Sequence, residues 1–153
     1  MNNVLLFVYG SMKKYFKNHY RLEKEKFIGQ AVTVDDYAMY PSDMYMFPYV
    51  YENEKKNKIN GELYKLINVN IEEIDIFEGS PVVYYRKNIK VICNNKIYEA
   101  FIYFRSGLNL TGIDTTLELK EWIKEIENVG IKYEEFLNAY IIAKQEAQKQ
   151  FFK

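Results

Sequence analysis

Histidine and cysteine are almost missing from this chain of 153 residues, which has one of each, His19 and Cys93. A single cysteine excludes an intramolecular disulfide, and one of each leaves the usual His/Cys metal sets unassembled. Net charge is missing too: Lys+Arg 21 balances Asp+Glu 21, so the basic surplus of a nucleic-acid binder is not there. The apolar run Val4-Leu5-Leu6-Phe7-Val8-Tyr9 is too short to span a bilayer, lacks a basic flank and runs into Gly10-Ser11. Neither a targeting segment nor a membrane contact is expected, and a lone thiol suits a reducing cytoplasm. P-loop spacing, G-x-G-x-x-G and clustered carboxylates are also lacking, which removes the common phosphate, dinucleotide and divalent-metal signatures.

Aromatic residues are plentiful: Tyr 15, Phe 10 and Trp 1 make up 17% of the chain. The same chain is rich in Lys, Asn and Ile and has only three arginines (Arg21, Arg86, Arg105). That bias is the signature of AT-rich coding, so most of the aromatic excess reads as composition rather than as a binding surface.

The order of patterns predicts an α+β fold. Residues 3–9 form a continuous apolar run stopped by Gly, as in a strand covered on both faces. Gly10 to His19 is a turn and a polar, basic segment. Phe27–Tyr40 and Tyr45–Tyr51 read as strands, the second with Pro48 at an edge or bulge, and 52–58 as a charged loop. Ile59–Ile67 is a further strand in which Gly61 marks a bulge or a close backbone approach. Asn70 and Glu73 have capping-box spacing ahead of a short helix with Ile71, Ile74 and Phe77 on one face, ending at Gly79. Val82–Cys93 and Lys96–Phe104 flank the turn Asn94-Asn95, a hairpin signal. Beyond Thr116, Leu119, Trp122, Ile123 and Ile126 recur at helical spacing. A second stripe, Phe136, Leu137, Tyr140, Ile141, Lys144, Ala147 and Phe151, follows the break Asn128-Val129-Gly130. These predict a C-terminal helical hairpin over 114–153, packed on a domain of residues 1–113.

His19, in a Lys-rich segment, is a poor centre for a Ser-His-Asp triad, and Cys93 has no partner His. Two places remain where chemistry can sit. The strand-to-turn junction Tyr9-Gly10-Ser11-Met12 can form a nest of backbone N–H groups for an anion, or simply be a turn. Glu78, at a helix end beside Gly79-Ser80-Pro81, is either an exposed acid or a partly buried one whose desolvation tunes it for proton transfer.

Taken together and in order, these motifs resemble the gamma-glutamyl cyclotransferase-like superfamily. Phe7-Val8-Tyr9-Gly10-Ser11-Met12-Lys13-Lys14 with Asn18-His19 is similar to its opening Y-G-T/S-L pattern. Gly61-Glu62-Leu63-Tyr64, Ile74-Asp75-Ile76-Phe77-Glu78-Gly79, Tyr84-Tyr85-Arg86 and Phe101-Ile102-Tyr103 follow with the family's order and spacing over residues 4–105. The gamma-glutamylamine cyclotransferase (AIG2-like) branch is the most similar, judged by the compact N-terminus, Asn18-His19 and Tyr40-Pro41. This chain departs from the pattern in Met12, where Leu is usual, and in Tyr15-Phe16, where relatives often have Gly.

The resemblance implies a small mixed β-barrel with flanking helices, and an amine- or amino-acid-releasing lyase or acyltransferase that needs no cofactor and no metal. Its expected partner is a small-molecule γ-glutamyl substrate, whose α-amine attacks its own γ-carbonyl to close 5-oxoproline. The backbone amides of Gly10, Ser11 and Met12 would hold the α-carboxylate, Glu78 would be the general acid/base, and Tyr9, Tyr40 and Tyr103 are candidate pocket walls. Because the substrate supplies the nucleophile, the protein needs little more than one carboxylate and a shaped pocket. The rival expectation is an inactive small-molecule-binding module whose C-terminal helices contact a protein. Those helices offer a pocket wall, a dimer face or a surface for another partner, and the oligomeric state is left open.

Overall fold

The computed structural model describes residues 4–42, 45–106, 113 and 115–151. Five strands close a barrel in the order β1 (Val4–Val8), β5 (Asn60–Leu66), β2 (Lys26–Thr33), β6 (Tyr84–Cys93), β7 (Lys96–Arg105). A separate two-stranded sheet pairs β3 (Ala38–Pro41) with β4 (Pro48–Tyr51). The barrel is mixed: β1 runs antiparallel to β5 but closes on β7 in parallel, at Leu6↔Phe101. A short helix α1 (Ile71–Glu78) flanks it, and a long helix α2 (Lys124–Phe151) ends the chain.

β1 explains its own sequence. Phe7 and Tyr9 pack into one core cluster, with Leu63, Ile102, Phe104 and Trp122. Leu6 and Val8 pack into another, with Tyr64, Ile71, Ile74 and Tyr103. A strand buried on both faces has no polar alternation to show. Gly61 is a close approach: a Cβ there would lie 2.4 Å from the Val8 carbonyl oxygen. The β6–β7 hairpin turns at Asn94 (φ 51°) and Asn95 (φ 65°), the left-handed pair that a type I′ turn demands and asparagine tolerates.

Three expectations are corrected. Phe27–Tyr40 is two strands, broken at Val34–Tyr37, because β3 leaves the barrel to pair with β4. Asn70 sits at the helix N-cap, but its side chain makes no capping hydrogen bond, so the capping box does not form. The C-terminal region has no helical hairpin among its described residues. Residues 117–123 cross the barrel without helix: Leu119 N–H donates to the Met39 carbonyl (2.9 Å), Asn60 N–H donates to Lys120 (2.8 Å), and Trp122 is fully buried. Burial of Trp122 and these strand-like bonds outweigh the i, i+3 spacing that suggested a helix. Gly130, expected as a break, lies inside the single helix α2. A Cβ there would stand 2.1 Å from the Tyr45 carbonyl oxygen, so the glycine admits a neighbouring backbone rather than a turn. The predicted domain boundary at residue 114 lies outside the described residues.

Candidate active site

The loop after β1 carries one half of the site. Its Lys14 N–H donates to Glu62 Oε1 (2.7 Å), and Glu62, buried, also accepts from Tyr64 OH (3.0 Å) and Gln30 (3.2 Å). Asn18 binds Ser11 twice, side chain to Oγ (2.7 Å) and N–H to the carbonyl (2.8 Å). His19 Nδ1 lies 3.0 Å from the Met12 carbonyl, and Lys13 Nζ donates to the Trp122 carbonyl (2.5 Å). Gly10 lets β4 come close, since a Cβ there would be 3.0 Å from Pro48 Cγ. The loop is therefore tied on every side. Among the described residues nothing accepts a hydrogen bond from the N–H of Gly10, Ser11 or Met12.

The other half is the end of α1. Gly79 caps it in the left-handed conformation (φ 66°), with its N–H on Ile76 and the Ser80 N–H on Asp75. This stops the helix one residue after Glu78. One turn earlier, Asp75 accepts two hydrogen bonds from Arg86 (3.0 and 3.2 Å) and one from the Tyr103 hydroxyl (2.6 Å). Tyr103 in turn offers its carbonyl to the Tyr9 hydroxyl (2.5 Å).

Between the halves lies a cavity of about 520 Å³, bordered by Tyr9, Gly10, Ser11, Met12, Glu78 and Tyr103, together with Phe7, Val8, Lys17, Asn18, Phe47, Pro48, Phe77, Tyr84 and Glu134. Six of the residues expected from the sequence thus meet in one cavity. Tyr40 does not. It sits on the separate β3–β4 sheet, buried beside Ala38 and Tyr51, and its hydroxyl donates to Glu54 (2.6 Å). Its departure follows from β3 leaving the barrel.

Burial sets the protonation of this site. It pushes the Glu78 carboxyl from 4.5 up to about 7, against the opposing pull of the Arg21 guanidinium. Arg21 stacks over Phe77, 3.6 Å from the ring centre. Tyr9, Tyr84 and Tyr103 are all pushed above the usual phenol range, first by burial; Glu78 comes next for Tyr84, Tyr84 and then Glu78 for Tyr9, and the hydrogen bond and charge of Asp75 for Tyr103, so they stay neutral donors. The sequence singles out neither Arg21 nor Glu134 for the site. Arg21 sits in a basic run without a pattern, and Glu134 reaches the cavity only because α2 passes its edge. Tyr84, Phe77 and Asn18 carried a signal, since each belongs to one of the short motifs described above.

The closed mixed barrel with its flanking helix is the fold of the AIG2-like proteins. Residues 6–124 match the family model "Gamma-glutamyl cyclotransferase, AIG2-like", and the chain belongs to that family. It is 44% identical over 101 residues to a candidate gamma-glutamylcyclotransferase of Methanocaldococcus jannaschii, covering 65% of this chain and 82% of that one. Gamma-glutamylaminecyclotransferase A of Danio rerio is 30% identical over 110 residues, covering 66% and 68%. The fold is shared with the crystal structure of an AIG2-like protein from Mus musculus, with a TM-score of 0.65 at 21% identity over 71% of this chain and 81% of that one.

Proposed function

We propose that this protein cyclises a γ-glutamyl amine or γ-glutamyl amino acid to 5-oxoproline, releasing the amine, with Glu78 as general acid/base. The observation that carries the reading is that Glu78, its pKa raised to about 7, shares a cavity with the N–H groups of Gly10, Ser11 and Met12, which have no acceptor among the described residues.

The substrate's α-carboxylate binds those N–H groups, the arrangement a backbone nest makes for an anion. Its α-amine, a group with a reference pKa of about 8, enters mostly as the ammonium at pH 7. Glu78 takes a proton from that nitrogen. The freed lone pair attacks the γ-carbonyl carbon, forming the ring C–N bond. The bond to the leaving nitrogen breaks as Glu78 returns that proton to it, and the ring nitrogen's second proton passes by the same carboxylate to the departing amine, which leaves as its ammonium. Water, redox change and an enzyme nucleophile have no part in the balance. Tyr9 and Tyr103, held by their mutual hydrogen bond and by Asp75, wall the cavity and keep the flexible chain bent for closure. An unpaired thiol, Cys93, suits a reducing cytoplasm as its compartment.

The test is 5-oxoproline release from a panel of γ-glutamyl amines and γ-glutamyl amino acids. Wild type is expected to turn over at least one member. Glu78→Gln is expected to bind that compound and lose turnover by at least about 100-fold, the usual worth of a general acid/base. Full activity in that variant would overturn the mechanism. Binding without release by wild type would leave a binding module instead.

A further inference from the structure

Beyond Glu134, which still borders the cavity, the long helix α2 leaves the body of the protein. From Lys132 to Lys149 every side chain but Leu137 is exposed. The exposed residues include Tyr133 (48%), Phe136 (67%) and Tyr140 (56%). Rings do not stand in water on one side of a helix for the sake of the fold, since an isolated helix gains nothing by burying them nowhere. Their spacing is a heptad. Tyr133, Tyr140 and Ala147 occupy one seam position and Val129, Phe136 and Ala143 the other; Ile126, one heptad before Tyr133, packs on the barrel core and lies outside the seam. Ile141 and Ile142 lie off this seam.

We propose that α2 is a homodimerisation helix that pairs antiparallel with a second copy of itself, the dyad passing close to Leu137 and Asn138. This inference does not rest on the catalytic reading. In that register Tyr133 faces Ala143 of the second copy, Val129 faces Ala147, and Phe136 faces Tyr140, so large side chains meet small ones except at the central rings. The flanking positions agree: Lys132 lies opposite Glu146 of the second copy, and Glu146 opposite Lys132, giving two oppositely charged pairs. A parallel pairing loses both. It sets Lys132 against Leu137 and Glu146 against Phe151, and it crowds two barrels at the same end of the pair. Antiparallel pairing places them at opposite ends.

The charge of the helix argues against a membrane as the occupant. Between Lys124 and Lys149 it has four lysines and five glutamates, not the basic face that binds anionic lipid. The exposed halves of three rings per copy amount to roughly 600 Å² in the pair, from the 150–250 Å² an aromatic side chain can bury. The aliphatic seam residues bring this toward the lower limit of specific interfaces, so the dimer is a dissociable one.

Sedimentation velocity on the full chain, from micromolar to hundreds of micromolar, is expected to show a monomer–dimer equilibrium. Phe136→Glu with Tyr140→Glu should leave only monomer. Lys132→Glu or Glu146→Lys alone should raise the dissociation constant several-fold, and the two together should restore it. Oxidation should cross-link Leu137→Cys but not Ala147→Cys, whose two copies lie about 27 Å apart along the axis at 1.5 Å per residue. Cys93 is buried and adds no background. A chain that stays monomeric throughout would overturn the proposal, as would a dimer that survives the double glutamate variant or a charge swap that fails to restore. Cross-linking at Ala147→Cys would replace it with a parallel pair, and binding of the monomer to lipid vesicles would replace it with a membrane surface.

Discussion

Tyr103 donates its hydroxyl to the same Asp75 carboxylate that takes both hydrogen bonds of Arg86, which links β7, β6 and α1 at one side chain. Asp75 precedes Glu78 by three residues, about one helical turn, so the anchor fixes the helix end that presents the acid. Asp75→Asn keeps the shape but removes the charge that Arg86 pairs with. A charge-assisted hydrogen bond of this kind contributes about 1.5–3 kcal/mol, and urea unfolding should register a loss in that range. Activity should fall with it, and Arg86→Lys should reproduce much of the defect because an ammonium cannot bind the carboxylate in the same two-pronged way. Unchanged stability in Asp75→Asn would mean the anchor lies elsewhere.

Glu78 makes two pH predictions of opposite sign. As the base of the proposed reaction it must be ionised, so kcat/KM should drop about tenfold per pH unit below a midpoint near 7. As a buried acid whose folded pKa is raised from 4.5 to about 7, it binds more protons in the folded than in the unfolded chain between those values. Stability from this group therefore falls as pH rises through that window, by up to about 3 kcal/mol. Glu78→Gln should then be more stable than wild type at pH 8 and show no such gain at pH 4. A variant that loses stability at pH 8 would show that the carboxylate is not held against its ionisation.

Much of this was legible in the sequence because local chemistry and the tertiary fold agree there. The doubly buried β1, the Asn94-Asn95 turn and the stop at Gly79 each have a local cause that survives folding. Tyr9 to Met12 and Glu78 lie at element ends, where a chain pattern fixes position, and the cavity has both. Tyr40 lies away from the cavity because its place depends on β3 leaving the barrel, a choice made by the pairing with β4 and not by Tyr40. The segment around Trp122 failed because apolar residues three apart serve a helix or a buried extended strap equally, and the core selects the strap. Arg21 was not legible because its partner, the Phe77 face, comes from a distant segment.

Tyr15 holds a left-handed conformation (φ 76°), and it is 80% exposed. A side chain in that conformation costs about 1–2 kcal/mol, while glycine costs about 0.5–1 kcal/mol in chain entropy. Tyr15→Gly should therefore match or exceed wild-type stability, and it should exceed Tyr15→Ala by about 1 kcal/mol. Thermal melts of the three proteins check this, with an expected separation of about 2–4 °C between the variants. Equal melting of the glycine and alanine variants would remove strain as the explanation.

Gly130→Ala reverses the ordinary rule for helices. In an exposed helix interior this change stabilises by about 1 kcal/mol. Here the new Cβ would lie 2.1 Å from the Tyr45 carbonyl oxygen and 3.0 Å from Met46 Cα, both backbone atoms that cannot rotate away. Either α2 or the 45–46 segment must move, at a cost of about 1–3 kcal/mol, the range for overfilled packing. The movement has a route to the site. Lys17 donates to the Met46 carbonyl (3.1 Å), Phe47 and Pro48 follow directly in the chain, and all but Met46 border the cavity, with Glu134 of α2 on its edge. Gly130→Ala should thus lower the melting temperature and raise KM more than it lowers kcat, since Glu78 stands on the other side of the cavity on α1. Ala139→Gly, at an exposed position of the same helix, should follow the ordinary rule and leave KM alone. If Gly130→Ala instead stabilised the protein, the close contact between α2 and the Tyr45 backbone would not exist in solution.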